Sequence, residues 1–551
     1  MSSRPRVVGV ALFLLGLLLF LPALGARDLW NPDEPRYAQV AREMTETGEY
    51  LVPRLNRGVY MEKPPLFFWS IMAAGALRGR VDETAARLPS AIAGAATIAL
   101  TYGIGRRLLT PRAGVLAALV LATAAKTMWQ ARFGQIDMML TFLVIVAMWC
   151  WTRGYVENDS RWYPLFFLAT GLATLAKGPA GFLPPFLGIL CFLALTRDRA
   201  SLRALGLAPG IVLWAFVVAA WFVPASLAMG GDYGAEVGLR QTIVRYFTPW
   251  LHQSPWYHYL EVLPGDFLPW SFLFPTTAVV LWREARGDGA IVHRGVLFAA
   301  CWVMATLLFF SISPAKRGVY VLTMYPGLAL LIGAALDRVA ATWPRYRAWI
   351  LEPLAVLAVG GAGVTAWLVI DPPVWPGAPV LRETVRQAAL LIGIVGVGSA
   401  IAFFLAKDGR LRDALVVELA VFIAALWTAM VALAPRFDII TSLRPVAVLV
   451  DREVPSGIRY GVYPYVQTPI LFYGNRYAEE LTTEAELDEF LERPGRRWLV
   501  LRGSMARELD EKLPPPIAEA GVPETESWFS LFELEAPSPG SKEDGREASG
   551  R

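Results

Sequence analysis

The chain has 551 residues, 55% of them hydrophobic and only 18% charged, with a formal net charge of +4. Apolar runs of membrane-spanning length recur through most of it, which excludes a soluble globule. The basic residues are scattered singly and in pairs between these runs, a distribution that encodes membrane topology and gives no sign of a nucleic-acid partner.

Arg4 and Arg6 precede the apolar run 7–24, which reads as an uncleaved first span with a cytoplasmic N-terminus. Further runs lie at 88–105, 113–129, 138–152, 162–176, 179–195, 204–228, 263–282, 295–313, 319–336, 349–370, 387–406 and 414–434, for about thirteen spans in all. The run 66–77 is too short to cross a hydrocarbon core of ~30 Å. With that run lying flat, every cytoplasmic connection is basic: Arg106, Arg107 and Arg112; Arg153 and Arg161; Arg197, Arg199 and Arg203; Arg283, Arg286 and Arg294; Arg338, Arg345 and Arg347; Lys407, Arg410 and Arg412. Phe67, Phe68 and Trp69 suit an interfacial helix, where aromatic rings favour the headgroup level. Cys150, Cys191 and Cys301 fall in or at the ends of apolar runs and are expected as small buried hydrophobes, with no disulfide framework.

This topology predicts an all-α polytopic membrane domain over 1–434, with an external loop at 27–87 that carries interfacial helices. Asp137, Lys177, the loop 230–262, Lys316 and everything after Pro435 fall on the same non-cytoplasmic side. Beyond Pro435 the pattern turns soluble. Runs 446–450, 458–462 and 498–501 read as strands and Glu484–Glu492 as a helix, giving a small α/β periplasmic domain over 435–534. The tail 535–551, rich in Pro, Ser, Gly and charge, is expected to be disordered.

The 27–65 stretch is a charged, aromatic insert between apolar segments. Pro32-Asp33-Glu34-Pro35 reads as a helix start whose carboxylates accept from free backbone N–H groups. Tyr37, Val40, Ala41 and Met44 then recur at helical spacing, and Gly48 ends the helix. Asn56-Arg57-Gly58 is a turn, followed by Tyr60, Glu62 and Lys63. Taken alone, an acidic pair before proline is a helix cap. Asp137 and Lys177 are ionisable residues close to membrane depth; Asp137 points either to function or to structural pairing, and Lys177 either to function or to snorkelling toward the outer interface. Arg245, His252 and Lys316, taken singly, read as interface anchors. No glycine-rich nucleotide loop or metal motif of fixed spacing is present, and so no nucleotide cofactor is expected.

Trp30-Asn31-Pro32-Asp33-Glu34-Pro35-Arg36-Tyr37 and Tyr60-Met61-Glu62-Lys63-Pro64-Pro65 resemble the first external loop of bacterial lipid A 4-amino-4-deoxy-L-arabinose transferases and of protein O-mannosyltransferases. The resemblance extends to Gln135-Ile136-Asp137, Ala176-Lys177-Gly178, Arg245, the 252–257 segment and Lys316 through Tyr325-Pro326. It implies a C-type membrane glycosyltransferase fold in the bacterial inner membrane. Such an enzyme moves a sugar, with inversion, from undecaprenyl phosphate to an envelope acceptor such as lipid A. Asp33 is then the catalytic carboxylate, with Asp137 beside it. Glu34, Arg36, Tyr37, Tyr60, Lys63, Lys177, Arg245, Lys316, Arg317 and Tyr320 are implied as substrate-binding, and Glu62 with His252 as a divalent-metal pair, for which a plain carboxylate–imidazole hydrogen bond is the competing account. The chain departs from the aminoarabinose transferases at Lys316-Arg317-Gly318-Val319-Tyr320, where a Lys-Leu-Pro-x-Tyr type segment is common. Protein Ser/Thr or another envelope glycan is the alternative acceptor. A lipid-linked-sugar flippase would show internal repeats and midplane charges. A receptor or scaffold built on the C-terminal part leaves the loop carboxylates without a role.

Overall fold

The structure, a computed structural model, describes residues 4–248, 253–286, 290–374, 378–523, 525 and 527–535. Among these, eight helices are long and apolar enough to cross a membrane, or up to ten if each of two bent helix pairs counts as one span. The chain is a multi-pass membrane protein. One bent pair is Pro111–Thr123 with Ala125–Ala131, at 67°, and the other is Ser160–Gly181 with Leu183–Thr196, at 84°. The second bend falls at Phe182, after the 3-10 turn Gly178–Gly181; the α-helix itself ends at Lys177, where Gly178 has φ +70° and Pro179 follows, so its hydrogen-bond ladder does not continue.

The expected first span is helical only over Arg4–Phe20. Leu66–Arg78 is a helix of 13 residues, about 20 Å long at 1.5 Å per residue and short of a bilayer core. Two of its three aromatic residues turn into the protein, while Trp69 is half-buried and donates to the Tyr50 carbonyl. Phe67 and Phe68 are fully buried. Phe67 packs edge-on to Tyr37, and Phe68 packs against Tyr37 and Tyr60. Ring packing inside the protein outweighs the headgroup preference because Asp33–Thr47 lies directly over this helix. Cys150 and Cys301 are buried as expected, whereas Cys191 is exposed on the surface of Leu183–Thr196.

The C-terminal part folds around a five-stranded sheet in the order Ala478–Glu480, Tyr460–Tyr463, Arg496–Arg502, Phe529–Glu535, Ala518–Ala520. The first three strands run parallel and the last two pairings are antiparallel. Glu484–Glu492 is a helix opened by a capping box between Thr483 and Glu486. The expected strand at 446–450 is instead part of the helix Arg444–Glu453, with Pro445 in its first turn. Val446, Ala447, Leu449 and Val450 are all buried on one helical face, so tertiary burial overrides the β preference of valine. The expected disordered tail lies outside the described residues, apart from Glu535 at the end of the last strand.

Candidate active site

Asp33–Thr47 forms the helix that its apolar spacing predicts. Tyr37, Val40, Ala41 and Met44 are buried, and Gly48 closes it at φ +70°. Its two leading carboxylates do not cap it, because the N-cap is Pro32 and makes no side-chain cap bond. Adjacent helical residues point about 100° apart, so Asp33 and Glu34 enter different environments. The following turn is a two-residue hairpin with Asn56 at φ +53° and Arg57 at φ +65°. The Glu43 carboxylate accepts from both their amides, at 2.8 and 2.9 Å.

Glu34, expected to bind substrate, is fully buried and held by groups of the protein itself. Arg27 donates to it at 2.6 and 3.0 Å, and Arg87 at 2.7 and 2.9 Å. The amides of Trp30 and Gly134 add bonds of 3.0 and 2.8 Å, leaving no free face for a ligand. Gly134 allows this approach, since a Cβ there would lie 3.0 Å from the Ala86 carbonyl oxygen. Burial pushes the Glu34 carboxyl up, but Arg27 and Arg87 outweigh it and hold the group at about 2, below its ordinary 4.5. A depressed folded-state value means that the stabilisation is complete above pH 4.5 and is lost as pH falls toward 2. Thermal melting of the purified protein is therefore expected to drop across that window, and Glu34→Gln is expected to flatten the drop.

Asp33, 4% exposed, faces the other way. Its Oδ2 accepts from the Arg317 guanidinium at 2.9 Å and, closer still, from Gln135 Nε2, while the Tyr37 hydroxyl lies 3.5 Å from Oδ1. Burial raises the Asp33 carboxyl, but the Arg317 charge and hydrogen bond, with Gln135, bring it below the usual carboxylate range. Beside this pair, Lys177 donates to Asp137 and lies 4.5 Å from the centre of the Tyr320 ring. Arg317 also feels the Asp137 charge, which links the two pairs into one patch. Arg36 completes it, 3.5 Å from Glu62 and close to Tyr60 and Tyr37. Four separate elements and the 60–62 segment supply these groups: the Asp33–Thr47 helix, the starts of Ile136–Glu157 and Gly318–Met324, and the end of Tyr163–Lys177.

Other expected site residues fall elsewhere. Lys316 turns away from the patch and donates to the carbonyls of Ser313 and Ser254, at 2.6 and 3.1 Å. It pins the strand-like contact between Gln253 and Ala315, and it is Arg317, the residue at which this chain departs from the usual segment, that reaches Asp33. Lys63 donates to the Glu62 carbonyl at 3.1 Å. Arg245 opens the short helix Arg245–Phe247, its side chain outside what is described, and His252 lies outside the described residues. Among the described residues no three His, Cys, Asp or Glu converge on one point, and Glu62 lies against Arg36.

Residues 62–225 match the dolichyl-phosphate-mannose-protein mannosyltransferase family. Undecaprenyl phosphate-alpha-4-amino-4-deoxy-L-arabinose arabinosyl transferase 1 of Pseudomonas fluorescens is 33% identical over 405 residues, 71% of this chain and 70% of that protein. The chain belongs to this aminoarabinose transferase family. The Pseudomonas aeruginosa transferase is 32% identical over 61% of this chain and 60% of its own length. The chain thus spans between 60% and 70% of these two curated relatives. The crystal structure of ArnT from Cupriavidus metallidurans bound to undecaprenyl phosphate aligns over 98% of this chain and 100% of that one, with TM-score 0.77 and 23% identity, a likeness of fold.

In this member of the aminoarabinose transferase family, three parts of the arrangement escaped sequence reasoning. Arg27 and Arg87 carry no motif, although an arginine at the lip of the 88–105 run is the kind of costly charge that signals a partner. Gln135 stands in the resemblance but was not read as a ligand of Asp33. The third part is the grip of the C-terminal residues on the loop. Asp438 accepts from the Asp28 amide at 2.9 Å and from the Trp30 indole at 2.6 Å, and the Tyr473 hydroxyl accepts from the Leu29 amide at 2.7 Å. Arg444 and Ser442 both hold the Asp28 carboxylate. Asp438→Ala is expected to free about 2 kcal/mol of local docking. Hydrogen exchange checks this, because the Asp28 amide should exchange faster while amides of the Ile136–Glu157 helix do not change.

Proposed function

We propose that the chain is an inverting glycosyltransferase that takes a sugar from an undecaprenyl-phosphate carrier and delivers it to an envelope acceptor, with lipid A phosphate first. Family membership supports the class. The observation that carries the reading is the Asp33–Arg317 pair joined to Asp137–Lys177. As the glycosidic bond breaks, negative charge grows on the lipid phosphate, and fixed cations stabilise that charge more in the transition state than in the ground state. Arg317, Lys177 and Arg36 are the cations of the patch.

The acceptor is argued from Asp33. A carboxylate held below its usual range by a guanidinium is a poor base for an alcohol. A phosphate acceptor is already anionic and needs no base, leaving Asp33 to orient groups and to stabilise positive charge developing on the sugar. The match to protein mannosyltransferases keeps protein Ser/Thr as the second reading. In this reading the thirteen crossings count each half of the 84° pair separately, and the patch faces the periplasm of an inner-membrane protein, opposite the arginine-rich ends. The test incubates purified protein with undecaprenyl-phosphate aminoarabinose and either lipid A or an acceptor peptide, followed by mass spectrometry. Glycosylated lipid A is the expected product. Transbilayer movement of the donor without any glycosyl product would overturn the proposal.

A further inference from the structure

At the end of the bundle opposite the candidate site, a cavity of about 220 Å³ opens between the central helices and the last three. Leu116, Leu336, Trp343, Leu354, Leu357 and Leu415 give it apolar walls. It exceeds several times the ~30 Å³ share of one water, and apolar walls do not retain water. Lipid can reach it: only 6% of the spanning window of Ala348–Ile370 is buried, against 67% for Glu83–Leu108, so this outer helix is lipid-facing.

Two polar features frame the cavity. Arg112 and Arg412 stand at its mouth. Arg112 lies 3.5 Å from Asp337, whereas Arg412 is exposed and has no ion pair among the described residues. The neighbouring Arg410 is taken by Asp413 at 2.7 Å, which leaves the mouth cationic. Deeper in, Glu418 lines the cavity at 6% exposure. Its Oε1 accepts from Ser399 at 2.9 Å, but its buried Oε2 has no hydrogen-bond partner among the described residues. An unpartnered oxygen at membrane depth is costly, and a ligand with a polar group at that level would relieve it. Glu418 sits about 9 Å along the helix axis from Arg412.

We propose that this cleft is a binding site for an anionic glycerophospholipid. A hydrocarbon chain fills the cavity, the phosphate rests against Arg412 and Arg112, and an ester carbonyl of the glycerol region accepts from Glu418 in its protonated form. The site is separate from the donor and acceptor patch around Asp33 and does not depend on the proposed reaction.

Native mass spectrometry of the full chain in detergent, with dioleoylphosphatidylglycerol as probe, tests it. The unaltered protein is expected to retain one lipid under activation that strips the rest. Arg412→Gln, at an exposed position that leaves the fold alone, should weaken retention about fivefold, the worth of one arginine against an anionic headgroup. Leu354→Trp, which fills the cavity, should weaken it about tenfold, about 1.4 kcal/mol. Undiminished retention by Arg412→Gln, or by Leu354→Trp with an unchanged melting temperature, overturns the proposal. Displacement by inorganic phosphate alone at the same concentration would also overturn it, in favour of a free-anion site.

Discussion

Asp33→Asn is expected to abolish sugar transfer, with a loss of about 10³-fold or more, while the protein still folds and still binds its lipid-linked donor. The substitution keeps the shape of the side chain. One amide oxygen can accept from both Arg317 and Gln135, the two donors that now share Oδ2, and the amide nitrogen can turn toward the Tyr37 hydroxyl. What is lost is the negative charge opposite Arg317, which in the proposed reaction stabilises positive charge growing on the sugar. Product formation from a lipid-linked sugar measures the loss, and a melting curve matching the unaltered protein shows that folding is intact. Normal turnover by the variant would remove Asp33 from the reaction. Lys177→Met would then be the informative second variant, since it tests the cation half of the patch.

Arg87→Met is expected to destabilise the protein by about 3–5 kcal/mol, enough to lower expression sharply. Arg87 is 1% exposed and holds Glu34 with two bonds. Its remaining donors bind the carbonyls of Leu24, Arg27 and Asp28, so one guanidinium ties the first span to the loop. Methionine keeps most of the volume but leaves the buried carboxylate with Arg27 as its one cation, beside the Trp30 and Gly134 amides. The double variant Arg87→Met with Glu34→Met should recover part of the loss, because removing both charges leaves less unpaired than removing one. Melting temperatures of the single and double variants decide this. If Arg87→Met melts like the unaltered protein, the cluster contributes nothing to stability.

These two outcomes separate neighbours that are indistinguishable in the sequence. Asp33 and Glu34 share a helix turn, a charge and a flanking proline, yet one carboxylate is exposed to the site and the other is sealed behind two arginines. Periodicity fixed the helix but not which of its sides would meet Arg317. The same holds after Pro435, where the alternation of valines in 446–450 suits a strand as well as a helix face, and only packing against the sheet decided.

By itself, the sequence determined the membrane character, the short helix at 66–77, the turn at Asn56-Arg57-Gly58 and the gathering of Asp33, Asp137, Lys177 and the 316–320 segment at one end of the bundle. Hydropathy, basic connections and turn chemistry are local properties that any stretch of chain carries with it. Tertiary structure alone decided the partners: Arg317 with Asp33 across 284 positions, Gln135 with Asp33 across 102 and Asp438 with the Asp28 amide across 410. Such contacts depend on how helices cross and where the C-terminal sheet docks, and no residue pattern along the chain records that geometry. The opening loop is charged because of its sequence, but it is an organised site because distant residues hold each of its charges in place.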